Sequence, residues 1–189
     1  MKFGYLKNIK NSESIFLKKV CRYVIVVARQ VIQIEKRFMI KDVKIKKITR
    51  HCDDRGFFSE IFTSEDSFFS KIKQTSYTET YPGVIKAFHY HKKQDDIWFV
   101  AKGMAQVVLY DLREKSETKG EIQVIYAGED DPVLVYIPKG VAHGYRVLGS
   151  EKVCLFYHTT ERYNAKKPDE YRIPYDSNEI GFDWKTKNR

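Results

Sequence analysis

An all-β domain, a barrel or sandwich of short strands with a few short helices, is predicted over residues 39–189 of this 189-residue chain. Two observations predict it. Short runs of β-forming residues recur with turn residues between them, a cadence that favours a sandwich or barrel over alternating βαβ units. Two of these runs are also punctuated by glycine or proline at the point where they carry histidines. In order, the runs are 43–48, 56–62, 75–80, 84–90, 97–101, 105–111, 121–127, 133–137, 144–147 and 153–159. The domain is expected to begin at Met39, where strand-like alternation sets in through Val43 and Ile45. Residues 63–73 are the best helix candidate, opened by Ser64 with Asp66 nearby as an N-terminal signal. In 153–159, Val153, Leu155, Tyr157 and Thr159 share one face, which sets Tyr157 among apolar neighbours. The last thirty residues, rich in Tyr, Pro, Asp and Asn, read as an ordered wrap of loops and turns. There is no internal repeat and no low-complexity tract.

Length and a hydrophobic content of 42% fit one packed domain. Charge is uneven: nine Lys/Arg and two acids in residues 1–38 carry a net +7 of the whole chain's +9. That stretch is expected to be a basic extension, poorly ordered or loosely docked, and an upstream start codon would also account for it. The high isoelectric point describes this extension rather than the body, so no nucleic-acid partner is expected. No apolar stretch reaches the roughly 18 residues that a membrane span needs. Cys21, Cys52 and Cys154 are far apart and lack a Cys-x-x-Cys spacing, which argues against a disulfide framework or a zinc ribbon and for a reducing cytoplasm.

The chemistry concentrates in two blocks. In Gly83-Val84-Ile85-Lys86-Ala87-Phe88-His89-Tyr90-His91, strand periodicity points His89 and His91 to one face and Phe88 and Tyr90 to the other. About 50 residues later, Pro138-Lys139-Gly140 turns the chain and delivers His143. Imidazole titrates near 6.5, close to working pH, and so suits proton transfer or metal ligation.

Gly83, His89, His91, Asp96 and Gly103 resemble the first motif of the cupin superfamily, with Asp in the usual Glu position, and Pro138, Gly140 and His143 resemble the second. The resemblance implies a jelly-roll barrel, the double-stranded β-helix. Further blocks narrow it: Asp54-Arg55-Gly56-Phe57-Phe58-Ser59-Glu60, Val108 to Arg113, Tyr157 with Tyr163, and Gly181-Phe182-Asp183-Trp184 occur in the order found in the dTDP-4-dehydrorhamnose 3,5-epimerase family. The likeness covers roughly residues 40–185.

Membership would imply a nucleotide-linked 4-keto-6-deoxy sugar as substrate and proton removal and return next to its ketone, in deoxysugar and polysaccharide biosynthesis. Carried over by position, His89 is the general base and Tyr157 the general acid. Arg55, Phe58, Glu60 and Gln74 fall on nucleotide-binding positions, some reaching across a dimer interface. Lys86 stands at a sugar- or phosphate-binding position, while His91, His143 and Tyr163 line the site. Asp96 stands where the family has a lysine, and the family's C-terminal Leu-Ser-x-x-Asp segment has no counterpart before Arg189. An inward Asp96, with Asp95 pointing out, is therefore expected to orient His89. A homodimer exchanging strands near 39–62 is expected, because an open barrel edge invites pairing.

Other readings follow from the same residues. His89, His91, Asp96 and His143 make a three-nitrogen, one-oxygen metal set by type and spacing, whereas the branch resembled is metal-free, so no metal and no cofactor are expected. His91 could instead hydrogen-bond a carboxylate and fill the barrel. A nucleotide-sugar 3,4-ketoisomerase shares the histidine pair, and a sugar-binding cupin without catalysis would share the fold. Alone, Arg55 and Glu60 would read as a surface ion pair. Lys166-Lys167-Pro168 reads as a solvated turn, and His51 and His158 carry no spacing argument.

Overall fold

Residues 39–186 and Val24 are described by the computed structural model. Apart from Val24, the basic extension expected over 1–38 lies outside the described residues. The chain divides between Met39 and Ile40 into two units, and every element named below belongs to the second.

Among the described residues twelve strands run in chain order: β1 (Lys44–Lys47), β2 (His51–Asp53), β3 (Gly56–Phe58), β4 (Gln74–Thr80), β5 (Ile85–Tyr90), β6 (Asp96–Lys102), β7 (Met104–Asp111), β8 (Ile122–Gly128), β9 (Val133–Ile137), β10 (Val141–Leu148), β11 (Val153–Thr159) and β12 (Tyr171–Arg172). Two five-stranded sheets result, ordered β1-β9-β6-β11-β4 and β12-β5-β10-β7-β8, and β2 with β3 forms a separate hairpin. Every pairing is antiparallel. This is the jelly-roll that the strand cadence and the two motifs predict. Each of the ten predicted runs overlaps a strand. The short strands β2 and β12 were not foreseen, and β3 stops at Phe58 rather than extending to residue 62.

Period-2 alternation sends one set of side chains from both sheets into a shared core. Trp98 and Val100 of β6, Val133 and Val135 of β9, and Val153 and Leu155 of β11 meet Val107 and Leu109 of β7 and Tyr145 and Val147 of β10 there. The outer faces are covered as well. Phe88, Val108 and Ala142 pack under Ile180 and Trp184 of the C-terminal wrap, and Ile97 and Leu134 pack under Ile48 and Phe68. Burial on both faces explains why β6, β7 and β9 lack a clean polar alternation.

The helix predicted over 63–73 does not form. Asp66 instead accepts hydrogen bonds from the Thr63 amide (2.8 Å) and from Lys46 Nζ (2.7 Å), which closes a tight turn. Phe68 is drawn into the cluster with Ile48, Ile97 and Leu134, leaving only a 3₁₀ turn at Phe69–Lys71. Lys73 N then bonds Thr159 O (2.9 Å), which leads the chain into β4 beside β11. A local N-terminal signal is worth about 1 kcal/mol, less than burying a phenylalanine.

Two glycines set the geometry that matters for the site. Gly103 turns β6 into β7 at φ 71°, and a Cβ there would come within 2.3 Å of the Lys152 carbonyl oxygen. Gly144 lies where β10 approaches β5 too closely for any side chain, since a Cβ would meet that of Ala87 at 2.2 Å. The register pairs His143 with His89 and Tyr145 with Lys86, so Ala87 and Phe88 stand opposite the single Gly144 in a bulge. Gly144→Val is expected to cost about 1–3 kcal/mol of stability by overpacking and to lower activity by displacing His89. Denaturant midpoints and turnover of the variant check this, and wild-type values for both would contradict it.

Candidate active site

The bulge at Gly144 carries His143 directly opposite His89, with ring centroids 4.2 Å apart and planes at 73°. His91 follows the end of β5, and its Nδ1 donates to the main-chain carbonyl of Asp169. His143 Nδ1 donates in the same way to the carbonyl of Val141 (2.9 Å). An imidazole tied through Nδ1 presents Nε2, and both Nε2 atoms turn toward Asp96, His91 at 3.7 Å and His143 at 3.5 Å. Asp96 opens β6 in the opposite sheet and is buried, its Oδ1 accepting from Gln94 Nε2 (2.7 Å) and its Oδ2 from Trp98 Nε1 (3.2 Å). Both contacts are longer than an ordinary hydrogen bond, and the buried Nε2 of His143 has no nearer hydrogen-bond partner than the Asp96 carboxylate. Asp95 points the other way, accepting from Tyr136 Oη (2.7 Å) and the Lys139 amide (2.9 Å).

Burial, reinforced by the neighbouring His143, pushes the His89 imidazole well below its ordinary 6.5, so it is neutral with a free lone pair near pH 7. Burial works to raise the Asp96 carboxyl, but His143 and His91 outweigh it and hold the group below the usual carboxylate range. Asp96 is therefore the anion of the cluster.

The cluster lies at the wall of a cavity of about 720 Å³, a size suited to a small organic ligand. His89 reaches it from β5 of one sheet and Tyr157 from β11 of the other. Asp96, Gln74, Lys86, His91 and Tyr163 also line it. Gln74 Oε1 accepts from the Tyr163 amide (3.0 Å), and Lys86 Nζ donates to Thr78 Oγ1 (3.1 Å). His143 sits one layer behind, 1% exposed.

Other expected residues lie elsewhere. Arg55, Phe58 and Glu60, some of them expected to reach across a dimer interface, do not line this chain's own cavity. Arg55 and Phe58 belong to the exposed β2–β3 hairpin, and Glu60 lies exposed just beyond it. Arg55 pairs with Asp53 at 2.5 Å, so it makes no ion pair with Glu60. Asp96 faces in while Asp95 faces out, yet the Asp96 carboxylate bonds Gln94 and Trp98 and abuts His91 and His143; it makes no hydrogen bond to His89. Lys166, Lys167 and Pro168 form the exposed turn expected of them, and Lys167 and Pro168 stand at the cavity mouth as well.

Three contributors were missed. Gln94 and Trp98 flank Asp96 at i−2 and i+2, and that strand phase could have found them. Asp169 gave no signal: it gathers the amides of Lys92, Lys93 and Gln94 (3.1, 2.7 and 3.1 Å) from more than 70 residues away. It thereby pins the loop that leads to Asp96.

Fold and site together define a cupin-type barrel that keeps a neutral histidine, a carboxylate and a tyrosine around a cavity of small-molecule size. The chain belongs to the dTDP-4-dehydrorhamnose 3,5-epimerase family, isomerases acting on carbohydrates, whose model matches residues 37–189. It is 58% identical over 151 residues to the spore coat polysaccharide biosynthesis protein SpsL of Bacillus subtilis (strain 168), covering 80% of this chain and 100% of that protein. It is 36% identical over 147 residues to the probable low-salt glycan biosynthesis epimerase Agl13 of Haloferax volcanii, covering 77% of this chain and 94% of that one. Among solved structures, the 3,5-epimerase of Legionella pneumophila in complex with dTDP-4-keto-L-rhamnose superposes with a TM-score of 0.69 at 27% identity, over 77% of this chain and 80% of that one. Among the described residues no helix is long and apolar enough to cross a membrane.

Proposed function

We propose that the cavity takes a nucleotide-linked 4-keto-6-deoxy sugar and inverts a carbon next to the ketone, His89 removing the proton and Tyr157 returning one from the opposite side. The observation that carries this reading is placement: His89 and Tyr157 enter one cavity from opposite sheets. Inversion needs that arrangement, because a proton taken and returned on the same face restores the starting sugar. The lowered pKa leaves His89 ready to accept a proton near pH 7. Lys86, Gln74 and Tyr163 surround the same space and are assigned to the sugar, phosphate and nucleotide. The kinship with SpsL supports a role in supplying sugars for a polysaccharide, and the free Cys52 and Cys154 suit a cytoplasmic setting. Incubation with dTDP-4-keto-6-deoxyglucose, followed by reduction and sugar analysis, is expected to yield inverted sugars. Recovery of only the starting configuration, across thymidine- and uridine-linked substrates, would contradict the reading.

The exposed hairpin gives the assembly its reason. Phe57 and Phe58 are 60% and 63% exposed, and Arg50 stacks over the Phe57 ring at 4.6 Å. A homodimer that buries this hairpin would bring Arg55, Phe58 and Glu60 to the partner's cavity and cover these aromatic faces. Light scattering at micromolar concentration is expected to give twice the chain mass. A monomer would remove these three residues from the substrate site.

A further inference from the structure

We infer that Trp98, Tyr145 and Leu155 form an apolar seat at the inner end of the cavity, which takes the C6 methyl group of the sugar and selects 6-deoxy sugars over their 6-hydroxy counterparts. The inference rests on the nucleotide-sugar reading and deepens it by assigning the residues that distinguish one substituent.

The cavity is charged at one end and apolar at the other. Lys93, Arg162 and Lys167 line it from exposed positions at its mouth, and their side chains make no hydrogen bond or ion pair with the described residues. The acids beside them are engaged already. Glu161 holds Lys73 Nζ (2.8 and 2.9 Å), Glu170 holds Arg172 (3.0 and 2.8 Å), and Asp169 caps the amides of Lys92, Lys93 and Gln94. Uncompensated positive charge therefore sits at the mouth, and it holds the diphosphate end of the ligand there.

The inner end has the opposite character. Trp98 of β6 and Leu155 of β11 reach it from one sheet and Tyr145 of β10 from the other, each no more than 3% exposed. All three belong to the core shared by the two sheets, and the Trp98 and Tyr145 rings meet edge to face at 5.7 Å. Trp98 Nε1 is spent on Asp96 Oδ2 (3.2 Å), and Tyr145 Oη is hydrogen-bonded to the buried Thr80 Oγ1 (2.6 Å). The surface left for a ligand is apolar.

The shape of a pyranose brings C6 to this seat. The diphosphate hangs on C1, and C4 lies across the ring from C1. A sugar held by its diphosphate at the mouth therefore sends C4 inward, with C5 and its C6 substituent alongside. Trp98 stands beside both reacting residues, its ring centroid 6.0 Å from that of His89 and its backbone opposite Tyr157 in the register of β6 with β11. A ring carbon placed between His89 and Tyr157 thus has its neighbouring substituent within reach of the seat. A methyl group there leaves water at no polar cost. A hydroxymethyl group would lose its water without gaining a partner, and an apolar pocket discriminates against an added hydroxyl by up to about a hundredfold.

The test is binding of two unreactive ligands that differ only at C6, dTDP-6-deoxy-D-glucose and dTDP-D-glucose, to the full chain, measured by calorimetry beside dTDP alone. The 6-deoxy compound is expected to bind about 10- to 100-fold more tightly than dTDP-glucose. Leu155→Thr places a hydroxyl in the seat and is expected to narrow the preference to about threefold or less, chiefly by tightening dTDP-glucose, a gain that a misfolded chain could not show. Affinity for dTDP should stay within about twofold of the wild type, because the mouth is remote from the substitution. Leu155→Ala serves if the threonine variant does not fold, the narrowing then coming from weaker binding of the 6-deoxy ligand. Equal affinity of the wild type for the two sugars, or a Leu155 variant that keeps the full preference, would overturn the seat and leave the nucleotide-sugar reading standing. Failure of dTDP and of both sugars to bind would overturn that reading, and the seat with it.

Discussion

Replacing His89 with Asn is expected to abolish solvent exchange at the sugar carbon while leaving nucleotide-sugar binding within a few-fold. Proton abstraction needs the imidazole, and general-base groups contribute about 10²–10⁴ to rate. Asn keeps roughly the size and polarity of the ring edge but cannot accept a proton at neutral pH. Binding should survive because it rests on contacts to the base, diphosphate and sugar made elsewhere in the cavity, by Lys86, Gln74 and Tyr163 among others. The loss should therefore fall on kcat rather than on affinity. Calorimetric binding of the nucleotide diphosphate, together with exchange followed by NMR, separates the two. Exchange at the wild-type rate would remove His89 from the mechanism.

Asp96→Asn is expected to lower turnover by about a hundredfold or more, and Asp95→Asn to change it little. Abstraction turns a buried neutral His89 into an imidazolium, and Asp96 is the carboxylate that favours that charged form. Without it, burial and the neighbouring His143 and His91 would all oppose the charge. Asp95 accepts from Tyr136 and the Lys139 amide on the other side of the strand, so its amide variant should alter local stability at most. A damaged Asp95 variant beside a healthy Asp96 variant would contradict the orientation of β6. Paired steady-state assays of the two variants make the comparison.

Much of the fold was legible because strand periodicity is written into single residues. Phe88 and Tyr90 do pack outward toward Trp184 and Tyr171, while His89 and His91 face the barrel interior with Trp98 and His143. Val153, Leu155 and Tyr157 likewise turn to the core side. The helix over 63–73 was misread because its local signal, Asp66, is spent on a turn held by the distant Lys46.

At the site, strand phase told which residues face inward but not how deep each lies or which neighbour it meets. The depth of His143 comes from the bulge opposite Gly144, and no spacing in the motif reveals that Ala87 and Phe88 share one partner. For the same reason the expected pairing of Asp96 with His89 gave way to contacts with His91 and His143. Asp169 could not be read at all, because its role is to cap a loop contributed by a distant part of the chain. Arg55, Phe58 and Glu60 were tied to the site by block order alone, and one chain does not bring them there.

The central claim is that His89 and Tyr157 exchange a proton next to a ketone from opposite sides of one cavity. It is tested most directly by turnover of dTDP-4-keto-6-deoxyglucose in deuterated water, with NMR assigning deuterium and configuration at C3 and C5 separately. The expected result is deuterium at one or both of these carbons with inversion at the labelled position. Tyr157→Phe should let His89 still wash label into the retained configuration while inversion stops. Inversion without any solvent label, or inversion undiminished in Tyr157→Phe, would contradict the account.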